Sequence, residues 1–279
     1  MRNNLLLVCI FFSAAFLTGC ASPPLTVVSS PVPPAVSPTR TPFLPATDTP
    51  APTVASTTPT SPATETVTLA PTATPTPPPS LQVNLAAVGD MMLARTVGDQ
   101  VLARGPEIVF AGVQSVLDSA DVLVGNLECA ITSGGERQPK SYTFAAPPET
   151  AQALALAGFD LLSLANNHAM DYGSQGLFDT RDNLGQSGIA SVGAGENSAQ
   201  AHAPVILERN GLRLAFLAYV DVPDENDGFD AHTWIATASH PGVAWADLDQ
   251  ITADVTAARL QADVVVVLLH SGFEIKDVA

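Results

Sequence analysis

The chain has 279 residues, with 27 acidic against 11 basic side chains and a formal net charge of −16. Setting aside Arg2, Arg40, Asp48 and Glu65 leaves that whole excess on residues 81–279. Such a surface repels nucleic acid and anionic lipid, so no nucleic-acid partner is expected. Of three cysteines, two fall in the first twenty residues, which leaves Cys129 no disulfide partner and predicts a small buried side chain.

Residues 5–17, LLLVCIFFSAAFL, form one apolar run behind Arg2, too short to span a bilayer comfortably. The run ends in Leu17-Thr18-Gly19-Cys20, which resembles the lipobox of bacterial lipoproteins. The resemblance implies a signal peptide over 1–19 and acyl chains (diacylglycerol and a palmitate-type group) on Cys20. The mature chain would then be held on the extracytoplasmic face of the cell membrane, each buried methylene contributing about 0.8 kcal/mol.

Residues 20–80 are rich in Pro, Thr, Ser and Ala. Seventeen of the 24 prolines lie here, too many missing amide donors for helix or sheet. An extended tether is expected, reaching roughly 190 Å at about 3.1 Å per residue.

A single domain is expected over 81–279. Residues 81–88, LQVNLAAV, predict a strand, followed by a helix over 107–119. DVLVGN (121–126) predicts a second strand, and a polar Gly-rich loop occupies 133–141. PETAQALALAG (148–158) has helical spacing with Gly158 as C-cap. FDLLSLA (159–165) is a strand, 174–188 a helix and ASVG (190–193) a short strand. Residues 205–220 read as a hairpin about Asn210-Gly211. A helix over 246–262 and a strand buried on both faces over 262–270 complete the pattern. Alternation of this kind, with near-continuous Val and Leu strands, predicts an α/β fold.

The strand ends are polar. Gly89-Asp90, Gly125-Asn126-Leu127-Glu128, Asn166-Asn167-His168, Val220-Asp221 and His270-Ser271 each close a strand. Each admits a structural reading: a turn at Asp90, a helix cap at Glu128, an Asx turn at Asn166, a core histidine at His270. In open α/β sheets, however, ligands bind outside the carboxyl ends of the strands, and one shared rim would gather all five. No basic residue adjoins these carboxylates in sequence, and uncompensated buried carboxylates cost several kcal/mol each, about the scale that a cation removes. Oxygen and nitrogen donors without thiolate suit Mn, Fe or Zn, with Mg also admissible. His202, His232 and His240 lack strand context and are expected to be solvated or peripheral. Gly193-Ala-Gly195-Glu196-Asn197 lacks the lysine or third glycine of a phosphate loop.

The order GDMMLAR (89–95), GNLE (125–128), NNHAMDYG (166–173) and HSGFE (270–274) resembles the CapA family of capsule and poly-γ-glutamate synthesis proteins, within the calcineurin-like metallophosphatase superfamily. The resemblance implies a two-sheet sandwich flanked by helices. It implies Asp90, Glu128, Asn167 and His270 as metal ligands and His168 with Asp171 as the catalytic pair. Asn126, Asn166 and Glu274 would support the ligands or contact substrate. Two departures stand out. Met91-Met92 follows Asp90 where an Asp-x-His is usual. The Gly-His-x-His motif expected after the His270 strand is missing before Ala279, which reads as a C-terminally truncated domain. Two functions follow: a lipid-anchored metal-dependent hydrolase acting on a phosphoester or a polyanionic surface polymer, or a non-catalytic accessory subunit of the polymer's synthesis, export or attachment machinery.

Overall fold

The computed structural model describes residues 6–12, 81–223 and 228–272. The lipobox with Cys20, the tether over 20–80 and Glu274 lie outside the described residues. Among the described residues, no helix is long and apolar enough to cross a membrane.

Two four-stranded sheets make the frame. The first is formed by β2 (Leu85–Met91), β3 (Val122–Leu127), β6 (Leu161–Ser163) and β7 (Ala190–Val192), in that order and all parallel. The second has the order β1 (Leu6–Phe12), β12 (Val264–Ser271), β10 (Leu212–Asp221), β9 (Val205–Arg209). Here β1, β12 and β10 run parallel and β9 antiparallel. Among the described residues two short ribbons are added, β4 (Ala130–Ile131) with β5 (Ala145–Ala146), and β8 (Ala194–Gly195) with β11 (Gly242–Val243). No periodicity reveals two-residue strands, and sequence reading missed all four.

Period-two alternation explains how the layers bond. In β10, Leu214, Phe216, Ala218 and Val220 belong to one core cluster with Val122, Val124 and Leu161 of the first sheet. Their neighbours Ala215, Leu217 and Tyr219 point the other way. There they meet Ala258 and, at the edge, Ile251 and Val255, of helix α6 (Leu248–Ala258). Val266 and Leu268 of β12 join the first cluster, Val265 and Val267 the second. A strand apolar on both faces is thus sandwiched between a sheet and a helix. Each fully buried Leu, Val or Phe contributes about 1.5–3 kcal/mol. This is the expected two-sheet α/β sandwich.

Several boundaries follow local chemistry. Helix α3 (Thr150–Ala157) ends at Gly158, whose φ of 88° is the left-handed cap that a residue without Cβ adopts freely. Asn210 and Gly211, with φ of 52° and 80°, turn β9 into β10 as the hairpin signal required. Helix α4 (Gly173–Gln186) matches its predicted span within two residues at either end.

Two expectations need correction. The helix expected over 107–119 is only a 3-10 turn, Pro106–Ile108, and one α-turn, α2 (Gln114–Leu117). The helix of this crossover lies upstream as α1 (Arg95–Arg104), where a glycine and charged residues hide the period. Gly105-Pro106 then breaks it. A domain truncated after the His270 strand, as the sequence reads, would also leave the outer side of that strand without a neighbour. Instead β1 pairs with β12 from Leu6↔Val264 to Phe12↔His270. An apolar run can satisfy an open strand edge as well as it can form a membrane-targeting segment.

Candidate metal centre

The first sheet delivers its groups by a register device. Ala87 pairs with Val124 but Asp90 with Asn126, so β2 carries one residue more than β3 across this interval. Such a bulge re-aims the side chains beyond it. It brings the Asp90 carboxylate to 2.8 Å from Asn126 Nδ2. Asn126 and Glu128, two residues apart and so on one face of the chain, meet at 2.6 Å. After β6 the chain turns sharply. Asn166 Oδ1 accepts from the His168 amide at 3.0 Å, an Asx turn. The Asn166 amide donates back to Asn126 Oδ1 and to the Leu127 carbonyl, at 2.9 and 2.8 Å. Asn166 is therefore a clamp between two loops, with its amide engaged. His270 arrives from the second sheet at the end of β12. The rim is thus built across the sandwich from both sheets, where sequence reading placed it along one.

Ligand atoms of Asp90, Glu128 and His270 all lie within 4.8 Å of one another. His270 Nδ1 is 3.5 Å from Asp90 Oδ1, and its Nε2 is 3.6 Å from Glu128 Oε1 and 3.2 Å from Asn167 Oδ1. Asn126 Nδ2 faces Asp90, Glu128 and His270 Nδ1, the last at 3.3 Å. An NH₂ group has two hydrogens and no charge, so it can neither serve three partners nor balance two carboxylates. Two carboxylates and an imidazole converging on one point make the donor set of a divalent cation, and the residues fit one. Electrostatics agree. Burial raises the Glu128 pKa against the opposing pull of His270 and His168. Burial lowers that of His270, but the adjoining Glu128 and Asp90 outweigh it, and the net shift is upward. A proton on this group does, imperfectly, what a cation would do better.

Beside the cluster stands a second buried assembly. His168 Nδ1 lies 2.7 Å from Asp171 Oδ2, which also accepts from the Phe144 amide at 2.6 Å. An ionised carboxylate only accepts, so Nδ1 carries the hydrogen and Nε2 is turned to the cluster, 4.0 Å from Glu128 Oε1. Asp171 Oδ1 faces the Lys140 ammonium at 3.1 Å, which compensates its charge as an ion pair. Both side chains are fully buried. Lys140 also donates to the Asn167 carbonyl at 2.6 Å and lies over the rings of Phe229 and Trp234. The Phe144 ring stacks on His168 with centroids 4.3 Å apart.

The structure therefore gathers Asp90, Asn126, Glu128, Asn166, Asn167, His168, Asp171 and His270. Asp221, expected on the same rim, is exposed and belongs to no metal-capable group among the described residues. His202 is half-buried and tied to Asp254 at 2.8 Å, itself held by the Tyr219 hydroxyl. It is a strut between β10 and α6 rather than a solvated group. His232 pairs with Asp230 and stacks on Trp245. Cys129 is buried, and burial pushes its thiol up to about 12. Lys140 and Phe144 were not singled out from sequence. Lys140 sits in a polar loop, and its burial depends on aromatic residues some ninety positions away in the chain.

A two-sheet α/β sandwich with ligand-bearing loops at the strand ends is the architecture of a metallophosphatase-like protein. Comparison narrows the class. The family described as Bacterial capsule synthesis protein PGA_cap matches residues 84–278, and the chain belongs to that family. It is 33% identical over 201 residues to the capsule biosynthesis protein CapA of Bacillus anthracis, covering 69% of this chain and 47% of that protein. To the PGA biosynthesis protein CapA of Bacillus subtilis it is 32% identical over 190 residues, 67% of this chain and 48% of the relative. A Mycobacterium tuberculosis protein named as a probable polyglutamine synthesis accessory protein is 34% identical over 164 residues, 55% and 42% of the two chains. The chain spans about half the length of these relatives.

Proposed function

We propose that this chain carries a divalent-metal hydrolase site for a phosphoester or surface-polymer bond and serves synthesis of a capsule or poly-γ-glutamate-type polymer. The single observation behind this reading is the convergence of Asp90, Glu128 and His270 within 4.8 Å. Asn167, whose Oδ1 is 3.2 Å from His270, completes the ligand set. Mn, Fe or Zn suits these donors, with Mg admissible. Asp90, Glu128, His270 and Asn167 would hold such an ion, which would supply Lewis-acid chemistry at an ester bond. Asp171 holds the His168 ring in one tautomer, so that Nε2 can give or take a proton at the reacting centre. Asn166 fixes the turn that carries both Asn167 and His168. The acidic surface keeps nucleic acid away. The likeness of Leu17–Cys20 to a lipobox supports anchoring through Cys20 on the extracytoplasmic face of the membrane.

The test is hydrolysis of a chromogenic phosphodiester and of a γ-linked glutamate polymer by the Mn-loaded full chain. Asp90→Ala and His168→Ala should each lower the rate by about a hundredfold or more. Equal rates in all three proteins would dismiss the hydrolase. A second reading, the non-catalytic accessory, draws on the naming of the mycobacterial relative as an accessory protein. It predicts a metal-loaded chain that cleaves neither substrate.

A further inference from the structure

We infer that Arg95, held over the Phe144 ring, is an anion-binding subsite that receives a phosphate or carboxylate of the substrate beside the bond held at the metal-capable cluster. The inference rests on the site reading given above and adds a residue and a ligand chemistry to it.

The guanidinium carbon of Arg95 lies 4.6 Å from the centre of the Phe144 ring and 5.8 Å from that of Tyr142. Phe144 in turn stacks on His168 at 4.3 Å. The guanidinium is therefore no farther from the His168 imidazole than the sum of the two Phe144 distances. A guanidinium over a ring is held there without spending its planar N–H donors on an acceptor, and those donors can fork onto two oxygens of one anion.

Among the described residues no hydrogen bond or ion pair takes up those donors. Arg209 is paired with Asp160 at 2.5 Å and Arg213 with Asp263 at 3.1 Å. Among the described residues no carboxylate lies within ion-pair distance of Arg95, although the chain has 27 acidic residues to choose from. Both Arg95 and Tyr142 face solvent. Local structure alone does not favour this position either. The φ of Arg95 is 54°, a conformation that any residue with a Cβ adopts at a cost. A long cationic side chain held in that conformation, over the ring that contacts His168, meets a need that the acidic surface creates. The net acidic charge of the chain otherwise opposes the approach of a polyanionic substrate.

The experiment is calorimetric titration of the Mn-loaded full chain with inorganic phosphate and, separately, with a γ-linked glutamate pentamer. Wild type, Arg95→Ala, Arg95→Lys and the distant control Arg213→Ala are compared, with metal content measured on the same samples. Arg95→Ala should weaken binding of at least one probe by about tenfold or more, with Arg95→Lys recovering only part of the loss because an ammonium cannot fork. Arg213→Ala and the metal content should stay at wild-type values. Weakening of phosphate alone identifies a phosphate source, and weakening of the pentamer alone a carboxylate source. Equal affinities in wild type and Arg95→Ala, an equal loss in Arg213→Ala, or no binding of either probe to metal-loaded wild type would overturn the subsite and leave the metal centre standing. A wild type that takes up no metal would sink the site reading itself.

Discussion

The imidazole Nδ1 of His168 lies 2.7 Å from the carboxylate of Asp171, three residues on, and both side chains are shut away from solvent. The pair fixes which ring nitrogen faces Glu128. Asp171→Asn keeps the shape but removes the charge that Lys140 faces. It should destabilise the fold by about 3–5 kcal/mol, the scale of an uncompensated buried charge. It should also lower hydrolysis by about a hundredfold where the hydrolase reading holds. Chemical denaturation and the phosphodiester assay measure the two effects separately.

Lys140→Met should cost a similar amount, about 3–5 kcal/mol, because it strands Asp171 in the same way. Combining it with Asp171→Asn should cost clearly less than the two single losses added together, since each single change leaves one orphan charge and the double change leaves none. Additive losses would show that the two residues act independently.

Proton and cation compete at the cluster. The pKa of Glu128 is raised by burial, so the metal-free fold loses stability as pH climbs from the usual glutamate range through the raised value. The pKa of His270 is also raised, because Glu128 and Asp90 outweigh its burial. Its stabilising share is complete below the ordinary value of 6.5 and is lost as pH rises through the folded one. Metal uptake needs both groups deprotonated and therefore strengthens in the same direction. The gain in melting temperature on adding Mn should be larger near about pH 8 than near about pH 6. A gain that is flat or falls with pH contradicts this.

On the far face of the second sheet, the Tyr219 hydroxyl donates to Asp254 at 2.9 Å, and the carboxylate also meets His202. Tyr219→Phe should cost about 1 kcal/mol in urea unfolding, since it removes one hydrogen bond from a partly buried carboxylate. Metal content should not change, because this strut belongs to the packing of α6.

Much of the centre was legible in the sequence because it depends on one topological rule. Strands that run parallel deliver their C-terminal residues to one edge, so Asp90, Glu128 and Asn167 could be brought together by counting strand ends, whereas His270 reaches them from the second sheet. What sequence reading missed depends on tertiary packing. The extra residue in β2 shows only once Ala87 and Asp90 are seen against Val124 and Asn126. Lys140 reads as a loop lysine until Phe229 and Trp234 close over it. Asp221 ends a strand as the others do, yet it is exposed. Position at a strand end was therefore necessary for joining the cluster but not sufficient.

Elemental analysis of the full chain after saturation with Mn and removal of free metal bears most directly on the centre. The arrangement of Asp90, Glu128 and His270 predicts about one tightly held ion per chain or more, falling to background in Glu128→Gln and in His270→Ala. Less than about 0.1 ion per chain in the folded wild type, or full retention in both variants, would contradict it.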